Sequence, residues 1–401
     1  MVATLETDRT PAGRGDPAAP AVLHLLPELD GGTRSRAVID MAATVTALGA
    51  RALVAAPAGR ASVDVQRAGA THVPLPLDRD NPMAQRGNAS KVEALIREQG
   101  VRLVHAHGRA PAWSGARAAR RAGVAFVSTF HRPYRPGGLF SGAGAQAMTM
   151  ADAAIAVSQY VADTVVRRFP MLDGRLQIVP YGVDTERFDP NRVSAERVIR
   201  LATQWRLPDG LPVVMAGEIS SRKSAALMVE ALARVTARDH YCLMFAPADS
   251  IEATQRETEE LVARHKLGAR VHVLESSRDM PAALMLADVV AVPAAEPEPF
   301  SLAIAEAQAM GRPVVAAAHG AAIEQVQGQP MGWLVPPGDA AAFGVALSEA
   351  LNLSPTQRQH RAHDVIAGAR RRYARATVGN ALVDLYDSLL PDSTAALTGQ
   401  G

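Results

Sequence analysis

The feature that most constrains the fold of this chain is a regular alternation of short apolar runs with helical patterns. Strands that alternate with helices pair in parallel, because each helix carries the chain back across the sheet. The runs form two series, which predicts an α/β protein with two Rossmann-like, doubly wound parallel sheets. The first series is residues 22–26, 52–56, 72–75, 103–107, 126–130, 153–157 and 177–180, and the second is 213–216, 242–245, 271–274, 289–292 and 314–317.

The length of the chain agrees with two domains. At 401 residues it exceeds the size at which a single hydrophobic core stops growing. We expect the ligand in a cleft that the two domains face. The predicted segments are a disordered tail (1–20), an N-terminal domain (21–190), a linker (191–210), a C-terminal domain (211–370), a C-terminal helical segment (371–390) and a tail (391–401).

The composition narrows the class of protein. Hydrophobic residues make up 48% of the chain, charged residues 20%, and the net charge is +2, so nothing points to a nucleic-acid partner. Cys242 is the single cysteine, and its apolar neighbours predict a core thiol in a reducing compartment. Residues 1–20 lack the apolar core of a signal peptide, and no run reaches the roughly 18 apolar residues of a membrane span. We therefore expect a cytoplasmic protein.

The most informative local segment is residues 298–315. An apolar run precedes it, Pro299 is expected in the first turn of a short helix, and Gly311 with Pro313 ends that helix before another strand. Glu298 is thereby predicted at the carboxyl end of a strand, which is where open parallel sheets bind ligands.

A second glutamate follows on the predicted helix. The residues at helical spacing are Leu302, Ala305, Glu306 and Ala309, which places Glu306 on or beside the apolar face. One interpretation is a glutamate that reaches solvent. The other is a nucleotide-sugar site, in which the N–H groups of Phe300, Ser301 and Leu302 bind the diphosphate. Glu298 would then bind sugar hydroxyls, and Glu306 the ribose hydroxyls.

Seven residues separate Glu298 from Glu306. This spacing resembles the two-glutamate motif of the retaining glycosyltransferases of family 4, which have the GT-B fold, and the resemblance extends over roughly residues 21–390. It implies metal-independent transfer of a sugar from a nucleotide sugar to a glycan or lipid-linked acceptor, with retention of anomeric configuration. It also implies a role in cell-envelope polysaccharide or lipopolysaccharide synthesis, and a last helix that crosses back to the N-terminal domain.

The segment after residues 213–216 resembles the glycine, arginine and lysine pattern of the same family. Lys223 occupies the lysine position, where a cation neutralises the departing diphosphate; the alternative is a solvated surface lysine. Two residues depart from the pattern: Glu218 replaces an arginine, and Ser224 replaces a glycine. Arg222 could supply the missing cation.

Two further matches lie in the first domain. The Gly31-Gly32 turn resembles the family's glycine-rich turn beside the donor phosphates or the acceptor, although it can equally be a simple strand–helix turn. His131, at the end of a predicted strand, resembles the histidine that lines the sugar site. The alternative for His131 is a structural histidine.

No metal site is expected. Asp78 and Asp80 spell the Asp-x-Asp of metal-dependent glycosyltransferases, but they precede Asn81 and Pro82 in a loop, which is typical of a turn. We expect no cofactor, with the nucleotide sugar as co-substrate.

A basic segment, residues 109–121, holds four arginines around Trp113. It could contact anionic lipid at the inner membrane surface or an anionic glycan acceptor, or it could be an ordinary solvated helix face.

Two rival functions remain open. Because of Glu218, the chain could be a catalytically weakened GT-B protein that binds a nucleotide sugar or a partner. It could also be a glycoside hydrolase that uses Glu298 and Glu306 as its carboxylate pair, although a loop and a helix on a doubly wound sheet suit a nucleotide better.

Overall fold

The computed structural model describes residues 19–79, 81–134, 141–217, 219, 221–236, 239–247, 251–275 and 277–390. These residues divide into two compact units. The first comprises the described residues up to 157, residues 161–179 and residues 378–390, and the second comprises residues 158–160 and the described residues of 180–377.

The first unit is built on a seven-stranded parallel sheet. Its strands, in spatial order, are β3 (Thr71–Pro74), β2 (Arg51–Ala56), β1 (Ala21–Leu25), β4 (Val101–Ala106), β5 (Ala125–Phe130), β6 (Ala153–Ala156) and β7 (Leu176–Ile178). The helices up to residue 168 are α1 (Thr33–Ala47), α2 (Ser62–Arg67), α3 (Pro82–Gln99), α4 (Arg109–Ala122), α5 (Ser141–Thr149) and α6 (Gln159–Arg168). The strand order reverses between β1 and β4, the kind of point where such sheets bind ligands.

The second unit is built on a six-stranded parallel sheet. Its order is β10 (Val271–Glu275), β9 (Tyr241–Ala246), β8 (Val213–Ala216), β11 (Val289–Val292), β12 (Val314–Ala317) and β13 (Gly332–Val335). The remaining helices are α7 (Ala195–Gln204), α8 (Arg222–Leu232), α9 (Ile251–Arg264), α10 (Met280–Leu286), α11 (Leu302–Ala309), α12 (Ala322–Val326), α13 (Ala340–Leu351), α14 (Pro355–Tyr373) and α15 (Arg375–Leu389).

The two predicted parallel sheets are confirmed, and all twelve predicted strands are present with ends shifted by at most two residues. The strand β13 was not predicted. Its four residues, Gly-Trp-Leu-Val, are mostly half-buried and lie between a glycine-rich turn and two prolines, so they lack the continuous apolar run of a buried strand. Cys242 is buried in the second core, as predicted.

The C-terminal segment joins the first unit. Val378, Leu382, Leu385 and Tyr386 of α15 pack in the same hydrophobic core as β1 and α1. The predicted helical segment 371–390 is not one helix, because the extended residue Ala374 separates α14 from α15 and pairs with Val183. Residues 391–401 lie outside the described part of the chain, as do residues 1–18.

The predicted linker, residues 191–210, differs from the structure. It contains α7, and Arg197 of that helix forms an ion pair with Asp279 (2.6 Å) inside the second unit. The side-chain hydrogen bond to Asp279 is the main reason that the pKa of Arg197 is raised. The chain instead passes between the units at residues 157–158, 160–161, 179–180 and 377–378.

Candidate functional site

Glu298 lies in the loop between β11 and α11, at the carboxyl edge of the second sheet. The helix begins at Leu302, so Pro299 lies outside its first turn, contrary to the prediction. Gly311 ends the segment with a φ of +66°, a conformation that favours glycine. This part of the sequence therefore folds as the predicted loop, short helix and strand.

Both glutamates are half-buried, and neither is without an interaction in the structure. The buried side of α11 is formed by Ile304, Ala305, Ala307, Gln308 and Ala309. Leu302 and Glu306 are half-buried on the remaining side. The predicted apolar stripe was thus partly wrong, and Glu306 lies beside the buried face.

Two neighbouring segments fix the backbone at and before Glu298. The Ser224 hydroxyl accepts a hydrogen bond from the N–H of Ala295 (3.2 Å), and His319 bonds the carbonyl of Ala294 through Nε2 (2.9 Å). A Cβ on Gly320 would lie 2.5 Å from the carbonyl oxygen of Glu298, so only a glycine permits this approach. The position of Glu298 is therefore set by residues from α8 and from the end of β12.

The backbone of Ser301 is held by one side chain. Gln325 accepts from the Ser301 N–H (2.9 Å) and donates to the Ser301 carbonyl (3.0 Å). Gln308 donates to the carbonyl of Gln325 (2.7 Å) and accepts from Arg372 (3.0 Å). The Ser301 N–H is therefore not open to a diphosphate, which corrects the prediction for that group.

The first turn of α11 keeps other donors. The helix has no side-chain cap and no acidic residue in its first turn, so the N–H of Leu302 starts an uncapped helix terminus. Phe300 is buried, with its ring edge-on to Tyr181 (5.4 Å) and Tyr373 (5.5 Å). Its side chain is thus part of the packing beneath the loop.

Lys223 lies in the first turn of α8, next to this loop. Lys223 and Arg222 are exposed, and the Ser221 hydroxyl caps the helix by accepting from the N–H of Ser224 (3.2 Å). Ser224, which departs from the family pattern, is thereby a structural link between α8 and the loop before Glu298. Glu218 lies outside the described residues.

The connection between β8 and α11 is close. Gly217 donates its N–H to the carbonyl of Ala291 (2.8 Å), and a Cβ on Gly217 would lie 3.3 Å from the Cβ of Ala303. Because β8, β11 and β12 are neighbours, the segments that carry Lys223, Glu298 and Gly320 meet at one sheet edge.

In the first unit, the Gly31-Gly32 turn leads from β1 into α1. Gly31 has a φ of +81°, and the N–H of Gly32 donates to Asp30 (2.9 Å). The helix α1 has no side-chain cap and no acidic residue in its first turn. This turn therefore needs glycine at position 31 and leaves an uncapped helix start.

His131 follows β5 and is buried, 6% exposed. Its Nε2 lies 3.0 Å from Nδ1 of His107, which in turn bonds His24 (3.2 Å). Burial lowers the pKa of His131 and of His24 to about 3, and it also holds the pKa of His105 and of His107 well below the usual value. These four imidazoles are therefore neutral at pH 7.

The structure brings the predicted residues together in two sets. Arg222, Lys223, Glu298, Phe300, Ser301, Leu302 and Glu306 lie in the second unit, and Gly31, Gly32 and His131 lie in the first. Sequence reasoning missed Gln325, His319 and His107. Of these, His107 had a signal, since His105-x-His107 ends a predicted strand. Asp78 is exposed before α3, and Asp80 lies outside the described residues.

The predicted basic segment forms α4. The guanidinium of Arg117 lies 5.1 Å from the ring centre of Trp113, and both line a cavity of about 490 Å³ together with Arg120, Arg121 and Met150. A larger cavity of about 600 Å³ lies against α9 and β10, two strands away from β8. None of the described helices combines the length and the apolar run that a membrane crossing requires.

Two family models match the chain. The model described as Glycosyltransferase Family 4 matches residues 35–187, and the model described as Glycosyl transferases group 1 matches residues 211–352. The first match covers β2 to β7 of the first sheet, and the second covers all six strands of the second sheet.

The chain is similar to several characterised proteins. It is 31% identical over 317 residues to the D-inositol 3-phosphate glycosyltransferase of Xylanimonas cellulosilytica, covering 74% of each chain. A glycosyltransferase structure from Rickettsia africae has a TM-score of 0.87 at 23% identity and covers 94% of this chain and 100% of that one. The Anabaena HepE complex with UDP-glucose has a TM-score of 0.76 at 23% identity, with coverages of 92% and 100%.

Proposed function

The chain belongs to glycosyltransferase family 4, and from this membership we propose that it transfers a sugar from a nucleotide sugar to an acceptor hydroxyl with retention and without a metal ion. The observation that carries the proposal is the meeting of Lys223, Glu298 and the uncapped start of α11 at one edge of the second sheet. An uncapped helix start and a lysine are both suited to a diphosphate.

The donor lies along α11. The N–H of Leu302 and the ammonium of Lys223 bind the diphosphate, Glu298 binds sugar hydroxyls, and Glu306 binds the ribose hydroxyls. Glu306 is four residues beyond Leu302, about 6 Å along a helix axis, which is a suitable spacing for the two ends of a nucleoside diphosphate. For His131, which belongs to the first unit, a sugar-lining role stays a prediction.

In the reaction, the bond between the anomeric carbon and the diphosphate oxygen breaks, and the electron pair leaves with the diphosphate. The acceptor oxygen forms the new bond on the same face, and its proton passes to the departing phosphate oxygen. Lys223 stabilises the negative charge that develops on this leaving group. No protein nucleophile is assigned.

The relatives suggest the substrates to test first. The HepE complex with UDP-glucose favours a UDP-sugar donor. A glycan or lipid-linked acceptor in cell-envelope synthesis remains our first expectation, with a cytoplasmic protein whose α4 arginines touch the inner membrane surface. The inositol phosphate in the name of the Xylanimonas relative adds a phosphorylated polyol as a second acceptor class.

The test is a screen of UDP-, GDP- and ADP-sugars for thermal stabilisation, because a ligand at 100 times its Kd stabilises the native state by about 2.7 kcal/mol. The stabilising donor is then incubated with glycan, lipid-linked and polyol-phosphate acceptors, and the anomeric configuration of the product is read by NMR. Retention supports the proposal. An inverted product, or no stabilisation by any nucleotide sugar, overturns it.

The second candidate is a catalytically weakened protein that binds the nucleotide sugar, and Glu218 is the observation that favours it. A carboxylate at a phosphate-binding position should handicap transfer, so Glu218→Arg should raise kcat/KM or create measurable activity. A Glu218→Arg variant with lower activity would show that Glu218 has its own role in catalysis.

A further inference from the structure

Three buried histidines of the first unit, His24, His107 and His131, are linked in series by hydrogen bonds. His24 of β1 lies opposite His105 of β4, and His107 follows two residues later. Residues two apart on an extended segment point to the same side of a sheet, so His107 shares the face of His105 and His24. His131 comes directly after the next strand, β5.

The contacts make this histidine series linear. Nδ1 of His24 lies 3.2 Å from Nε2 of His107, and Nδ1 of His107 lies 3.0 Å from Nε2 of His131. His105 is not part of this histidine series, because its two ring nitrogens bond the hydroxyls of Tyr386 and Thr129, each at 2.6 Å. Every hydrogen bond of the series therefore joins Nδ1 of one ring to Nε2 of the next.

The rings are neutral because burial lowers the pKa of each of them. A neutral imidazole carries one N–H and one lone pair, and a hydrogen bond between two such rings needs one of each. If His24 carries its proton on Nδ1, then Nε2 of His107 accepts and the proton of His107 must be on Nδ1. The same step fixes the proton of His131 on Nδ1.

The opposite arrangement of protons satisfies the same two hydrogen bonds. If His131 donates from Nε2, then Nδ1 of His107 accepts and His107 donates from Nε2 to His24. The proton of His24 is then on its own Nε2, which is buried without a hydrogen-bond partner among the described residues. Both arrangements give all three rings the same tautomer, and no mixed arrangement satisfies both hydrogen bonds.

We propose that His24, His107 and His131 share one tautomer, and that His24 and His107 are positioning residues that determine which ring nitrogen of His131 carries the proton. The proton on Nδ1 of His131 makes that nitrogen a donor, whereas the proton on Nε2 makes Nδ1 an acceptor. Any consequence of this choice for a sugar hydroxyl rests on the proposed function, but the shared tautomer does not.

A metal ion is a weaker explanation of the same cluster. His24, His105 and His107 each place a nitrogen within 4.8 Å of the others, and three imidazoles are a known zinc ligand set. A metal would have to displace a hydroxyl from His105 and break the link between His24 and His107. The hydrogen bonds already use these ligand atoms.

The test is NMR of the full chain with ¹⁵N-labelled histidine at pH 7.5, which reports the protonated nitrogen of each ring without any substrate. Single His→Asn variants assign the three signals. We expect one common tautomer for His24, His107 and His131. A mixed set, a doubly protonated ring or a zinc-induced shift of these signals at stoichiometric zinc would overturn the proposal.

The positioning role is tested with His107→Leu, which removes both links at nearly constant volume. We expect the tautomer populations of His131 to change in this variant and to stay unchanged in Tyr386→Phe, a control that removes only a partner of His105. An unchanged His131 signal in folded His107→Leu contradicts the role. If His107→Leu does not fold, the wild-type spectrum alone decides the shared tautomer. Because no donor or acceptor is present, failure here is distinguishable from failure of the proposed function.

Discussion

The two sheets of this protein use their carboxyl edges differently. In the first unit, His24, His105, His107 and His131 are at most 6% exposed and satisfy one another or nearby hydroxyls. In the second unit, Lys223 is exposed and Glu298 and Glu306 are half-buried. The buried side-chain amides of Gln325 and Gln308 form hydrogen bonds with backbone groups. The first edge buries its histidines, whereas the second carries a lysine and a glutamate on helices and another glutamate on a fixed loop.

The same sheet topology can therefore support two kinds of site. Side chains that bond each other, as in the first unit, form a neutral network whose members respond together. Side chains that bond the backbone, as Ser224, His319 and Gln325 do, fix the loop that carries Glu298. The following predictions separate the two cases, beginning with the largest effect.

Acid should loosen the first unit before the second. The folded pKa of His24 and of His131 is about 3, below the unfolded 6.5, so the unfolded chain binds more protons between these values and stability falls as the pH falls below 6.5. Each such histidine costs about 1.4 kcal/mol per pH unit in that window. Among described histidines of the second unit, His240 alone is as buried.

The measurement is urea unfolding at pH 7.5 and 5.5 with the tryptophan reporters of one unit at a time. Trp113 reports the first unit in the double variant Trp205→Phe, Trp333→Phe, and Trp113→Phe leaves the reporters of the second unit. A midpoint at Trp113 that does not fall more than the others would contradict the comparison.

Lys223→Ala should lower kcat by about 100- to 1,000-fold, because it removes a cation from the charge that develops on the leaving group. Lys223 is exposed, so folding should be unaffected. Steady-state kinetics decide the matter, with Lys91→Ala as the matched exposed lysine in the first unit. Equal activity of the two variants would show that the second edge does not bind the diphosphate as proposed.

Glu306→Ala should weaken nucleotide binding by about 1.5–3 kcal/mol, the usual value of a charge-assisted hydrogen bond. Calorimetry with the nucleoside diphosphate measures it, and Glu260→Ala, an exposed helical glutamate of α9, serves as control. Wild-type affinity in the folded variant would remove Glu306 from the site.

Gln325→Ala should lower the free energy of unfolding by about 1–3 kcal/mol, since it leaves the N–H of Ser301 buried and unpaired and removes one of the two hydrogen bonds to the Ser301 carbonyl. The exposed Gln327→Ala should stay within about 0.5 kcal/mol of wild type. Denaturant unfolding at neutral pH compares them. No difference would mean that the loop does not depend on this side chain.

The smallest expected effect is that of a chelator. EDTA should leave transfer unchanged, because the proposed charge stabilisation comes from Lys223 and the start of α11. Loss of activity that Mn²⁺ or Mg²⁺ restores would instead revive Asp78 and Asp80 as metal ligands.

Local sequence patterns were enough to predict several features of the fold. Apolar runs predicted twelve strands and two sheets, Gly311 predicted the end of α11, and the setting of Cys242 predicted its burial. These follow from hydrophobic periodicity and from the backbone freedom of glycine, which act within a few residues. The strand β13 was not predicted because its apolar run is short and only half-buried.

Local patterns did not predict which polar groups form hydrogen bonds with each other. Gln325 and Ser301 are 24 residues apart, Ser224 and Ala295 are 71 apart, and His24 and His107 are 83 apart. The Ser301 N–H was predicted to be free because the sequence around α11 contains no partner for it. A hydrogen bond between distant residues leaves no periodic signal, and whether a buried polar group is satisfied depends on the strand order that brings its partner beside it.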